Sequence, residues 1–339
     1  MPLRFSGCNR ESASPLAAVA VTMSKRFYII VMVVLVATLS LGNCRQASPP
    51  TPADDRLQVM VSIAPQKYFV ERIGNGSVTV NVMVPAGAEP HTFEPKPEQL
   101  KALSRADVYL RIGIEFEAAW IDKLKATNPR MLIVDTTQGI QRLPIATNPR
   151  AAGGHQEEGN LDPHIWLSPA LVKMQANTIY TALVQLDQPH QALYQANLER
   201  FLADIDTLDR EIRQSLQGVK SRKFIVFHPG WGYFARDYDL EMLSIAVGGQ
   251  EPSAAELANL ITTAKQANIR VVFAEPQFSQ QAATTIAQEI GGEVLLIDPL
   301  APDWLDNLRH VSNTFTQVLR QGRTPPPKTM LAVHHLRYD

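Results

Sequence analysis

From Leu57 onward, apolar residues recur in two rhythms that take turns along the chain. Apolar runs at 57–63, 77–85, 108–113 and 131–137, the second rich in valine, read as strands. Between them, 65–74, 95–106 and about 115–126 place apolar residues at helical spacing. The first of these helices stops at Gly74, and the second carries proline in its first turn. A helical pattern follows from residue 168 to about 187. Pro189 opens a longer one to about Val219, with Leu193, Ala196, Leu198, Phe201, Leu202, Ile205, Leu208, Ile212 and Leu216 on its apolar stripe. Such a helix would be roughly 45 Å long, enough to act as a stiff strut between two domains. The alternation then restarts. Strands are predicted at 223–227, 242–246, 271–275 and 294–298, and helices near 231–238, 253–267, 279–290 and 302–320. Ser253 and Glu256 make a capping box for the second of those helices. Strand–helix alternation in both halves implies an α/β fold with parallel sheets covered by helices. The expected layout is an N-terminal lobe at 57–187, a connecting helix at 188–220, a C-terminal lobe at 221–321 and a loose tail at 322–339.

Upstream, Met23 begins a different kind of segment. Lys25 and Arg26 precede an apolar run at 27–42. That run is shorter than the ~20 residues of a membrane span and reads as an export signal. Residues 1–44 are therefore expected to be targeting sequence, with Met23 as the start. Cys44 stands where a bacterial lipoprotein signal is cut and lipidated, although Asn43 occupies a place where Ala, Gly or Ser is usual. A plain secretory signal and an uncleaved anchor are the alternatives. Residues 45–56 are proline-rich and polar, as a tether should be. Each version puts the body outside the cytoplasmic membrane.

The 32 basic and 33 acidic residues nearly cancel, and no basic stripe suggests nucleic acid. Both cysteines, Cys8 and Cys44, precede the folded part, so zinc-finger and thiol-redox chemistry are excluded there. A metal held by the body must use imidazole, carboxylate, carbonyl or water.

Open parallel sheets bind ligands beyond the carboxyl ends of their strands. His91 follows the run at 77–85, His228 follows 223–227, and Asp298 ends 294–298. His164 lies in the loop before the helix at 168. Three imidazoles and one carboxylate complete a tetrahedral zinc shell. Taken singly, each has a plainer reading. A lone histidine is more often a satisfied polar side chain, and Asp298 before Pro299 is a usual turn starter. Asp162 before Pro163 is read the same way, and His155 as a solvated residue of the aperiodic loop 138–160. Phe93, Trp166, Trp231 and Phe234 are read as core or cleft wall. Glu94, Glu241 and Glu275 are carboxylates that could ligate or accept the second N–H of a ligating imidazole; Glu275 leads on its strand-end position.

The segments PHTFEPKPEQLKAL, DPHIWLSP, FHPGWGYFARDY, VFAEPQFS and IGGEVLLIDPLAPDWLDNLR resemble the metal-binding proteins of bacterial zinc and manganese ABC importers. The resemblance covers about 57–320. It implies two Rossmann-like lobes joined by one rigid helix, with metal held in the cleft between them. It also implies a monomeric, non-enzymatic protein that delivers its ion to a permease and ATPase in the cytoplasmic membrane. The family's ligands fall on His91, His164, His228 and Asp298. Histidine at the third position favours Zn²⁺ over Mn²⁺, in line with the preference of imidazole for zinc. Many zinc members carry a long His-rich loop before the second ligand, which is shortened here to about 151–160 with one histidine. Relatives have been described as adhesins, but no exposed adhesive face stands out. A zinc-dependent extracytoplasmic hydrolase is the other alternative. Neither HExxH nor GxSxG occurs, and four protein ligands would close the water position that such chemistry needs.

Overall fold

The computed structural model describes residues 55–145, 161–246 and 253–321. The export segment with Cys44, the tether to residue 54, loop residues 146–160 with His155, and the tail 322–339 lie outside the described residues.

Strands β1 (Leu57–Val61), β2 (Val78–Val82), β3 (Val108–Arg111) and β4 (Leu132–Asp135) form a parallel sheet in the order β2-β1-β3-β4. Strands β5 (Lys223–Val226), β6 (Glu241–Ser244), β7 (Val271–Ala274) and β8 (Glu293–Leu296) repeat that order as β6-β5-β7-β8, again all parallel. In both sheets the chain steps to one side of the first strand and then returns to the other. A crevice therefore opens at the carboxyl ends of β1 and β3, and of β5 and β7. The α/β expectation with two parallel sheets is met. The strands are shorter than the apolar runs that predicted them. Ile63, Met83, Val84, Ile112, Ile245 and Ile297 are apolar because they are buried beneath the strand ends, not because they pair in a sheet.

The helices are α1 (Ala64–Gly74), α2 (Pro97–Leu103), α3 (Glu115–Thr127), α4 (Pro169–Leu186), α5 (Gln191–Ser215), α6 (Gly232–Asp237), α7 (Ala254–Gln266), α8 (Gln281–Glu289) and α9 (Trp304–Gln321). Local chemistry sets their starts. Ser168 accepts from the Leu171 N–H with Pro169 in the first turn of α4, and Ser253 and Glu256 cap α7 reciprocally. The long connecting element is shorter than its periodicity suggests. Residues Gln188–His190 form a 3₁₀ turn, and the chain leaves the helix at Leu216, with Gly218 in a left-handed conformation. The 25 residues of α5 span about 38 Å.

Tyr194, Leu198, Phe201, Ile205, Leu208 and Ile212 line the buried stripe of α5 at alternating steps of three and four. That stripe packs on α4 and α1 of the first half and on α9 of the second. Phe201 lies 5.8 Å from Phe69 of α1 and 6.4 Å from Trp304 of α9, and Trp304 meets Phe69 edge-on at 5.2 Å. Such aromatic pairs contribute ~0.5–1.5 kcal/mol each beyond their buried area. One continuous apolar core therefore runs through both halves. Because side chains alternate along a strand, Phe224 and Val226 of β5 join that core, while Ile225 faces a second core against α7 and α8. Among the described residues, no helix is long and apolar enough to cross a membrane.

Candidate metal centre

Three chain segments bring imidazoles to one point beyond the strand ends. His91 sits in the loop after β2. The Glu89 carboxylate folds that loop by accepting from the N–H of His91 at 2.9 Å and from the N–H and hydroxyl of Thr92 at 2.8 and 2.6 Å. Phe93 anchors it edge-on against Phe116 of α3. His164 lies at the start of the 3₁₀ turn Ile165–Leu167, just before α4. His228 lies two residues past the end of β5, and its ring stacks on Phe278 at 4.9 Å. The His228 and His164 Nε2 atoms are 3.1 Å apart. Ring centroids are 5.2 Å apart for His91 and His164, and 4.9 Å for His91 and His228. One ligand nitrogen from each ring falls within 4.8 Å of the others, an arrangement that can hold a metal ion. A tetrahedral zinc with Zn–N near 2.0–2.1 Å separates its nitrogens by roughly 3.3–3.4 Å. The His164–His228 pair is therefore almost at coordination spacing without rearrangement.

Carboxylates behind two of the rings decide which nitrogen faces inward. Asp162 Oδ1 accepts from the backbone N–H of His164 at 2.9 Å and from its ring Nδ1 at 2.7 Å. Glu115 Oε2 accepts from His91 Nδ1 at 2.5 Å. With Nδ1 donating, each Nε2 keeps its lone pair toward the shared centre. Burial depresses the His91 imidazole, but the hydrogen bond to Glu115 and the charges of Glu115, Glu89 and Asp162 outweigh it, and its pKa lies above the ordinary value. His228 goes the other way. Burial, then the charges of His164 and His91, hold it well below that value. Burial acts to raise the Glu115 carboxyl, but the His91 hydrogen bond and charge prevail and lower it.

The remaining candidates are placed differently. Asp298 follows β8, and its Oδ1 accepts from Gln277 Nε2 and the Leu300 N–H, both at 2.8 Å. It is not in the three-imidazole group, and among the described residues its Oδ2 accepts no hydrogen bond. Glu275 is fully buried at the end of β7. It reaches His228 only through the backbone N–H, at 3.4 Å, not through the ring. Burial pushes its carboxyl up to about 8, against the His228 N–H and the Trp231 side chain and with the charge of Asp298. Glu94 is exposed, and Glu241 pairs with Lys223 at the opposite, amino-terminal end of β6. Phe93, Trp166, Trp231 and Phe234 are buried, as expected of core or cleft wall.

Sequence reasoning missed Glu89, Glu115 and the role of Asp162. The Asp–Pro pair suggests a turn starter, yet Asp162 is buried and holds the His164 ring. Its position two residues before a candidate ligand was the available signal. Glu115 had none, because it meets His91 across 24 residues from the first turn of a neighbouring helix.

Residues 59–318 match the model of a family described as the periplasmic zinc-uptake complex component A, ZnuA. The chain belongs to this family. The high-affinity zinc uptake system protein ZnuA of Bacillus subtilis is 28% identical over 287 residues, covering 79% of this chain and 87% of that one. A crystal structure of ZnuA is 50% identical with a TM-score of 0.73, covering 78% of this chain and 99% of that one. A zinc-bound deletion mutant of ZnuA lacking 138–173 is 48% identical with a TM-score of 0.73, covering 80% and 100%.

A proton on His91 would compete with a metal held there from above the ordinary imidazole value of about 6.5 downward, whereas His228 takes a proton only well below that value. NMR titration of the metal-free protein should show His91 protonating above ~6.5 and His228 well below it. Glu115→Gln should lower the His91 value. Two coincident titrations at the ordinary value would contradict this electrostatic reading.

Proposed function

We propose that the chain captures Zn²⁺ outside the cytoplasmic membrane and hands it to the permease and ATPase of an ABC importer. One observation carries the reading: three imidazoles from three distant segments converge within 4.8 Å, and two of them have Nδ1 fixed by carboxylates. His91, His164 and His228 are the nitrogen ligands. Asp298 supplies the fourth through Oδ2, leaving its Oδ1 bonds to Gln277 and Leu300 in place. Nitrogen donors favour zinc over manganese, which prefers oxygen-rich shells. The family description and the zinc-named relatives support the same cargo. Four protein ligands close the position at which a catalytic zinc would activate water, so the ion is cargo and the protein is not an enzyme. The two lobes, 57–187 and 221–321, with the connecting segment 188–220, form the monomeric carrier.

Outside the described residues, Cys44 carries the lipid that tethers the carrier to the membrane. Metabolic labelling with palmitate should mark the parent protein and not Cys44→Ala, and an unlabelled parent would rule out the lipid.

Isothermal calorimetry should find one zinc per chain. His91→Ala or His228→Ala should weaken binding by more than the roughly 100-fold typical of losing an outer hydrogen-bond partner, and Asp298→Ala by less. The assignment fails if the double variant His91→Ala/His228→Ala binds zinc like the parent.

A further inference from the structure

The carboxylate that orients His164 is itself gripped from the second half of the molecule. Asp162 is buried, and the chain passes through it beside Leu143. The Asp162 N–H donates to the Leu143 carbonyl at 2.7 Å, and Pro144 and Leu161 form an isolated antiparallel bridge. Where the return hydrogen bond of that pair would fall, the Tyr233 hydroxyl is inserted. It accepts from the Leu143 N–H at 3.0 Å and donates to the Asp162 carbonyl at 2.9 Å. Tyr233 is fully buried in α6, and burial pushes its phenol up to about 12, so it keeps the proton that it donates. Its neighbour in α6 controls the carboxylate. A Cβ on Gly232 would lie 3.0 Å from Asp162 Oδ2, tighter than ordinary contact, so a side chain there would push that oxygen aside by a few tenths of an ångström. Oδ1 is then left to take both N–H groups of His164.

We infer that Gly232 and Tyr233 are positioning residues for the metal centre: together they seat the Asp162 carboxylate, which keeps the proton of His164 on Nδ1 and its Nε2 lone pair toward the ligand. Neither residue touches the imidazole group through its own side-chain polar atoms. Tyr233 fixes the backbone of Asp162, and Gly232 leaves room for the carboxylate. With the hydroxyl gone, the Leu143 N–H and Asp162 carbonyl lose their shared partner and the 143–162 pairing slackens. With a methyl at 232, Oδ2 is displaced and Oδ1 moves with it. Either change loosens the Nδ1–H bond that selects the tautomer. The inference rests on the zinc-capture reading only for its effect on affinity; the tautomer is a property of the metal-free protein.

The test compares Tyr233→Phe and Gly232→Ala with Tyr238→Phe. The last removes a hydroxyl hydrogen bond at the end of the same helix, to Asp209 at 3.0 Å, without approaching Asp162. Long-range ¹H–¹⁵N spectra of the metal-free proteins read the His164 tautomer, and competition with a chelator reads zinc affinity. The parent and Tyr238→Phe should show His164 protonated at Nδ1. Tyr233→Phe and Gly232→Ala should show mixed tautomers, with zinc affinity reduced about tenfold or more. An unchanged tautomer in folded Tyr233→Phe overturns the inference, as does an equal loss in Tyr238→Phe, which would mark a general loosening of the helix. A parent that binds no zinc but shows the expected tautomer pattern would refute the cargo and leave the positioning role standing.

Discussion

Asp162 and Glu115 accept hydrogen bonds from the Nδ1–H groups of His164 and His91, and the character of the site follows from that. An imidazole free to choose its tautomer offers a lone pair inward only part of the time. Tied to a carboxylate, it offers one constantly, and the negative charge behind it makes the nitrogen a better donor. Lone pairs converging on so small a volume attract a proton or a metal ion. Among the described residues no carboxylate hydrogen-bonds the third ring, His228, and burial and its two neighbours favour its neutral form. The centre thus combines two rings polarised toward their shared midpoint with one whose protonation is suppressed.

The ring positions depend in turn on how the halves are fastened. Trp166, two residues past His164, donates its Nε1–H to the Pro299 carbonyl at 2.8 Å, and its own carbonyl accepts from Trp304 Nε1 at 2.6 Å. Ser168 hydrogen-bonds to Asp237, and Tyr233 closes the Leu143–Asp162 pair. The segment carrying His164 is therefore hydrogen-bonded to the second half as well as to the first. His164 and His228, with side chains 3% and 8% exposed, form a preset pair, and His91, at 17%, reaches it from the loop after β2. The continuous core through Phe69, Phe201 and Trp304 keeps the two sheets from drifting apart beneath this arrangement.

Much of this was legible in the chain because burial and periodicity write themselves locally. The apolar strand runs, the stripe of α5 and the Ser253–Glu256 box each depend on residues close in sequence. His91 and His228 were legible as candidates too, since the carboxyl ends of parallel strands collect functional groups, whereas His164 comes from the loop before α4. The partners of those rings were much less so. Glu115 is one acidic residue among several near helix starts, and nothing local distinguishes it from Glu98 or Glu117. Asp162 looked like a turn residue because Asp–Pro usually is one. Its role depends on a burial created by Gly232 and Tyr233, some 70 residues away. The apolar runs overshot the strands because hydrophobicity reports burial, and the loops beneath the site are buried as well.

The most direct test of the centre is X-ray absorption at the zinc edge of the loaded protein. A single shell of nitrogen and oxygen near 2.0–2.1 Å, with outer-shell scattering that requires three imidazoles, is the predicted result. A shell fitted by fewer than three imidazoles would contradict it.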